Sequence, residues 1–360
     1  MCANVVKLNL GRITFLITST LLCLLLYSVL LSSDSSKVNH RGVFNVNPNK
    51  KSTGENLEKT TTEVSLKHLL AVSIEIAERG GAEVKNVRKL TDLKESSKGK
   101  TKEGANDPLT EGDMRSHRAM VYGLKKTYPY IKVISEEHDS SDINFDEVKT
   151  VVGENLEIEK VLNDADEMVP SDQITVWVDP LDATQEYTEN LLQYVTTMVC
   201  VAVKGIPMIG VIHKPFENFT AWGWVGHGAS PQLQVAKTFP EKWKTNPVII
   251  VSRSHAGKVA AIATNAFVNA TITPAGGAGF KSLEVVQGIS SAYIHVTIIK
   301  KWDICAGNAI LKTLGGQMTT LNGNLISYEA SDDVINKGGL LATMFEHSLF
   351  LEKLKSVQRR

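Results

Sequence analysis

The sequence predicts a mixed α/β body behind a single N-terminal membrane helix. Three observations carry this. Residues 13–33 hold no charged side chain and are long enough, as a helix, to cross a bilayer. Short apolar strands and amphipathic helices intermix over the rest of the chain. Lys204-Gly205 separates two apolar runs and signals a hairpin, so the sheets are not purely parallel.

Composition excludes several alternatives. The 360 residues carry 39 basic and 39 acidic side chains and are 42% hydrophobic. A balanced, core-forming chain is neither disordered nor a polycation, so nucleic acid is not an expected partner. Its cysteines (Cys2, Cys23, Cys200 and Cys305) form no CxxC pair and no zinc-ligand spacing. Cys200 lies in an apolar strand and Cys305 at a helix start. Both read as buried thiols rather than disulfide partners.

In chain order, residues 1–12 form a short tail. The run at 13–33 exceeds the apolar core of a cleaved signal peptide, so it reads as an uncleaved signal anchor. Both of its flanks are basic, so charge does not set orientation. The N-glycosylation patterns at Asn218 and Asn269 favour a cytoplasmic tail and a lumenal body. Residues 34–61 are polar and aperiodic, a stem. Leu66, Leu69, Leu70, Ile74 and Ala77 mark a first helix that ends near Gly80-Gly81 or continues weakly to Leu90. The run 94–106 (KESSKGKTKEGAN) reads as a solvated loop, with a phosphate contact through its lysines as the alternative, and a second helix opens at Thr110 or Asp113 and reaches Lys126. Strands follow at 131–134, 174–178, 195–203, 208–213, 219–225, 248–251 and 293–297. One helix follows His255, and another at 303–314 stops at Gly315-Gly316.

The chemistry concentrates in carboxylates. The strand at 174–178 delivers Asp179 at its end, where ligands of α/β sheets gather, and Pro180 turns the chain so that Asp182 and Thr184 follow closely. Two carboxylates on one turn can seat a hard cation such as Mg²⁺; they also fit a proline turn with an Asp cap. Glu136-Glu137 after a strand, and Asp113 and Asp303 at helix starts, supply further carboxylates. Ser252 and His255 follow another strand. Gly277 and Lys281 lie in a glycine-rich turn into a helix, which suits either an anion or tight helix packing.

Three motifs in this order carry a family resemblance: Glu136-Glu137, Asp-Pro-Leu-Asp-Ala-Thr at 179–184, and Trp-Asp-Ile-Cys-Ala-Gly at 302–307. Over about residues 62–355 the chain resembles the lithium-sensitive, Mg²⁺-dependent phosphomonoesterases related to inositol monophosphatase. Residues 182–187, 194–205, 211–216 and 252–255, with the anchor, are similar to a Golgi branch of that family acting on adenosine 3′,5′-bisphosphate (PAP). Ala183 departs from the glycine usual in the wider family.

The resemblance implies a layered αβαβα sandwich over 62–360, with two or three Mg²⁺ ions per site. It implies that Glu136, Asp179 and the Leu181 carbonyl hold one ion, and that Asp179, Asp182 and Asp303 hold another. Thr184 and Asp113 are expected to orient and deprotonate the attacking water, while Ser252, His255, Gly277 and Lys281 line a nucleotide site. The implied function is release of the 3′-phosphate of PAP, a by-product of sulfotransferases, to give AMP in the Golgi lumen. The expected topology is single-pass with a lumenal catalytic body, and a homodimer is compatible with it. An inositol phosphate phosphatase is the alternative substrate class. A non-catalytic scaffold is the alternative of another kind, opposed by the complete set of expected metal ligands.

Overall fold

A computed structural model describes residues 62–100, 104, 106–254 and 257–358. The expected anchor at 13–33, the expected stem at 34–61 and His255 lie outside the described residues. Among the described residues no helix is long and apolar enough to cross a membrane.

Strand β1 (Glu63–Ser65) leads into α1 (Leu66–Arg88), capped where the Ser65 hydroxyl accepts from the His68 N–H. The expected apolar face is buried. Of the two expected ends the structure takes the longer: the helix runs through Gly80-Gly81 to Arg88. A Cβ on Gly80 would lie 2.5 Å from the Met120 sulfur, and one on Gly81 2.5 Å from His213. These glycines serve close approach, not termination.

The charged run that reads as a loop instead contains an exposed hairpin of β2 (Ser96–Lys100) and β3 (Asn106–Leu109). Thr110 caps α2 (Glu111–His117), which continues through a π-helical turn (Arg118–Tyr122) into α3 (Gly123–Thr127). Then come β4 (Lys132–Ser135), α4 (Leu156–Leu162), β5 (Met168–Pro170), β6 (Ile174–Asp182) and α5 (Thr184–Thr188). The meander β7 (Thr196–Val203), β8 (Ile206–Lys214), β9 (Phe219–Trp224) and β10 (Gly228–Ala229) follows. Lys204 and Gly205 both have positive φ, 49° and 72°, as the expected two-residue hairpin turn requires.

The second half adds β11 (Val248–Ser252), α6 (Val259–Ala266), β12 (Thr271–Ala275), α7 (Ala278–Val286) and β13 (Ala292–His295). It closes with β14 (Ile299–Lys300), α8 (Lys301–Thr313), β15 (Gln317–Thr319), β16 (Ile335–Asn336), β17 (Leu340–Thr343) and α9 (His347–Gln358).

Two sheets organise these elements. The first has the order β10-β9-β8-β7-β6-β4, antiparallel except for the parallel β4–β6 pair. The second has the order β12-β11-β13-β17-β15, with β11 parallel to both neighbours. Alternation along the first sheet separates two cores. Val176, Val178, Val199 and Val201 join the α1 side, whereas Trp177, Met198 and Cys200 join α7 and α8 between the sheets. Helices α6 and α9 cover the outer face of the second sheet. The layers are therefore αβαβα, as expected.

The expectation of two separate buried thiols is also overturned. Cys200 and Cys305 are bonded to each other, with Cα atoms 5.6 Å apart. The strand period turns Cys200 inward, and α8 lays Cys305 across it. Nothing in the local sequence reveals that crossing.

Candidate metal-dependent phosphatase site

Three elements converge on one group of carboxylates. Strand β6 carries Asp179 to the point where its register with β7 breaks, between Asp179 and Asp182. Strand β4 runs parallel to β6, and the Glu136 N–H donates to the Val178 carbonyl at 3.1 Å, which sets Glu136 beside Asp179. Helix α8 starts at Lys301 and offers Asp303, whose carboxylate accepts the Lys300 N–H. One carboxylate oxygen from each of Glu136, Asp179 and Asp303 lies within 4.8 Å of the others.

Burial, followed by repulsion from Glu136 and Asp182, pushes the pKa values of Asp179 and Asp303 well above the usual carboxylate range. Asp179 Oδ1 accepts the Leu181 N–H at 3.2 Å. Its Oδ2 is buried without a hydrogen-bond partner among the described residues. An unpartnered buried oxygen amid like charges is costly unless a cation meets it. An all-oxygen set with one such atom suits a hard divalent ion, so these residues fit Mg²⁺.

Asp182 lies just outside that triad. Its oxygens accept the Ala278 N–H at 3.0 Å, the Gly279 N–H at 2.8 Å and the Thr196 hydroxyl at 3.0 Å. The start of α7 is thereby fastened to the carboxylate turn. Gly277, with φ +62°, is needed there: a Cβ would meet the Tyr194 carbonyl at 2.6 Å and Asp182 at 3.0 Å. Burial raises the Asp182 pKa, with Lys281 and the two N–H groups opposing.

Thr184 and Asp113 come together as expected. The Thr184 hydroxyl lies 3.0 Å from both Asp113 Oδ1 and the Leu181 carbonyl. Asp113 Oδ2 accepts the Thr110 N–H at 2.7 Å and the Thr110 hydroxyl at 2.6 Å. Asp113 is 1% exposed. Burial pushes its pKa to about 7, against the Thr110 hydrogen bonds and with help from Glu137 and Glu136. Ala183, between Asp182 and Thr184, sits in the left-handed region at φ 71°, ψ 44°. That backbone explains why glycine is usual there.

A pocket of about 370 Å³ opens over these groups, lined also by Ser252, Gly277 and Lys281. Lys281 is 3% exposed. Its ammonium donates to the Gly277 and Ala275 carbonyls and lies over the Tyr293 ring. Burial lowers its pKa to about 8, with Asp182, Glu186 and Asp303 opposing. Asn218 and Asn269 are both exposed, in left-handed turns away from the pocket lining.

Several contributors were not legible in the sequence. Lys98, in the charged run, donates to Glu136 at 2.8 Å and Glu137 at 2.6 Å. Burial would lower its pKa, but these two carboxylates hold it above the ordinary lysine value. Thr110 and Thr196 anchor Asp113 and Asp182, and Lys100 and Lys300 join the pocket rim. Lysines in a polar run were the available signal, but only the hairpin shows which one turns inward.

The inositol monophosphatase family matches residues 65–359. The chain belongs to the inositol monophosphatase family. Curated relatives extend the match. The zebrafish (Danio rerio) protein named inositol monophosphatase 3 is 53% identical over 300 residues, covering 81% of this chain and 85% of that one. The mouse (Mus musculus) protein named Golgi-resident adenosine 3′,5′-bisphosphate 3′-phosphatase is 51% identical over 308 residues, covering 82% and 83%. Among solved structures, inositol monophosphatase II of Staphylococcus aureus aligns with TM-score 0.58 at 17% identity, over 80% of this chain and 94% of that one. CysQ of Bacteroides thetaiotaomicron aligns with TM-score 0.53 at 19% identity, over 78% and 98%. These two likenesses support the family's mixed α/β fold here.

Proposed function

We propose that this chain is a Golgi, single-pass, metal-dependent phosphomonoesterase that hydrolyses the 3′-phosphate of PAP to AMP and phosphate. The observation that carries the chemistry is the convergence of Glu136, Asp179 and Asp303 beside the Asp113–Thr184 pair. Glu136, Asp179 and the Leu181 carbonyl would hold one Mg²⁺; Asp179, Asp182 and Asp303 would hold a second. When bound, the metal makes water nucleophilic near neutral pH and spreads the phosphoryl charge. Thr184 orients the water, and Asp113, with its raised pKa, takes the proton. Gly277, Lys281, Ser252 and His255 form the nucleotide side.

The substrate rests on the likeness to the mouse PAP phosphatase. Three lysines around the pocket (Lys100, Lys281 and Lys300) also suit a second phosphate better than a neutral inositol ring. A lumenal body agrees with the disulfide, since such bonds persist in oxidising compartments. It also agrees with the exposed sequons at Asn218 and Asn269.

The test is Mg²⁺-dependent phosphate release by residues 62–360, with PAP against inositol 1-phosphate. Preference for PAP is expected, and equal or greater turnover of inositol 1-phosphate would overturn the substrate assignment. For topology, the full chain should resist alkaline extraction from membranes and shift in mobility on glycosidase treatment. A soluble, glycan-free full chain would overturn that part.

A further inference from the structure

A second cavity, about 590 Å³, opens between α1, α2, the π-helical turn and the loop at Val148. It shares no lining residue with the catalytic pocket. Its volume is in the range of small-molecule sites. Its walls combine two chemistries. Ala82, Ala119, Val148 and the Tyr122 ring are apolar, whereas Arg115 and Arg118 place two guanidinium groups three residues apart, on one face of the helical segment.

How these arginines are held points to a ligand. Arg115 donates to Glu111 through Nε alone, at 2.8 Å. Arg118 donates to Asp139 through Nε alone, at 2.7 Å. The Tyr122 hydroxyl donates to the same Asp139 oxygen at 2.6 Å, which pins the carboxylate that orients Arg118. The terminal amino groups of Arg115 have no hydrogen-bond or ion-pair partner among the described residues, and the Arg118 guanidinium interacts, besides Asp139, with the Tyr122 hydroxyl alone; both side chains remain open to water, 39% and 46% exposed. Arg79 differs, since its terminal groups are engaged by Glu75 and by the Lys149 and Thr150 carbonyls. Arg79 therefore builds the wall, while Arg115 and Arg118 are each held on one side, by Glu111 and by Asp139 with Tyr122, and turn the rest of the guanidinium to the open cavity. A guanidinium held this way is pre-organised for bidentate contact with an oxyanion.

We propose that this cavity is a second ligand site, separate from catalysis, for a small organic anion. Its apolar or aromatic body would lie against Ala82, Ala119, Val148 and Tyr122. Its phosphate, sulfate or carboxylate would bridge Arg115 and Arg118. A bare inorganic ion would leave the apolar wall facing water, and a neutral apolar molecule would leave the arginine forks unused.

The probe is 8-anilinonaphthalene-1-sulfonate, followed by its fluorescence on the intact catalytic body in EDTA. The parent should bind it in this cavity. The Arg115→Gln/Arg118→Gln protein should bind about tenfold or more weakly, the scale expected for lost hydrogen bonds to a charged group. Circular dichroism and retained PAP hydrolysis would establish that this variant is folded. Should it not fold, Glu83→Gln serves instead: it removes the acidic group lining the cavity and should tighten dye binding. Phenyl phosphate, phenyl sulfate and benzoate should displace the dye, their order naming the head group, and phenol should not. Undiminished binding by the folded double variant, displacement by phenol as readily as by the anions, or no change on Glu83→Gln would overturn the proposal.

Discussion

Asp113→Asn should stabilise the metal-free protein while removing its activity. Asp113 is 1% exposed, and burial lifts its pKa from 3.8 to about 7. The folded state thus binds this proton more tightly than the unfolded state. For a raised carboxyl the sign is opposite to that of a salt-bridged one: the group costs stability as pH climbs through the interval between the two values, and the cost is complete above about 7. About three units at about 1.36 kcal/mol each give roughly 4 kcal/mol at pH 8, against roughly 2 kcal/mol at pH 5. Asparagine does not titrate and fits the same bonds. Its oxygen can accept both Thr110 donors, and its amide can donate to the Thr184 hydroxyl, which still donates to the Leu181 carbonyl. For a body of about 300 residues, roughly 4 kcal/mol corresponds to a Tm gain of about 6 °C. Thermal melts in EDTA at pH 5 and pH 8 should show the gap between variant and parent widening with pH. PAP hydrolysis in Mg²⁺ should fall about 10²–10⁴-fold on loss of the proposed general base. A gap that stays flat from pH 5 to pH 8, or a variant less stable than the parent at pH 8, would refute the argument.

Asp179→Asn, which alters the carboxylate assigned to both ions, should be nearly inactive even at high Mg²⁺, whereas added Mg²⁺ should partly rescue Asp303→Asn; metal-concentration curves of initial rate distinguish the two. Lys281→Ala should raise KM for PAP about tenfold or more with little change in kcat, and an equal loss on a substrate lacking the second phosphate would assign Lys281 to the fold or the chemistry instead. Breaking the Cys200–Cys305 bond, which spans a sequence separation of 105, by a Cys200→Ser/Cys305→Ser change should cost about 2–5 kcal/mol, read as a lower denaturant midpoint; an unchanged midpoint would show that the bond does not stabilise the body. Ala183→Gly relieves a left-handed alanine and should stabilise the carboxylate turn by up to about 1 kcal/mol, which equilibrium unfolding would measure.

Much of the carboxylate site was legible in the chain. Asp179, Asp182, Glu136 and Asp303 each follow a strand end or open a helix, and local pattern locates such positions. The meander, its Lys204-Gly205 turn and the glycine-rich entry to α7 were legible for the same reason: turn chemistry and strand alternation are encoded within a few residues. Tertiary structure alone decided the rest, because each remaining feature depends on where distant segments cross. Gly80-Gly81 leaves the end of the first helix open between a stop and a continuation until Met120 and His213 are seen to need the missing side-chain volume. Lys98 reads as solvated until its hairpin folds over Glu136 and Glu137. Cys200 and Cys305 read as separate thiols until α8 crosses the inner face of β7. Asp113 reads as a helix cap, which it is, but its raised pKa comes from burial beside Glu136 and Glu137, and burial is set by the whole fold.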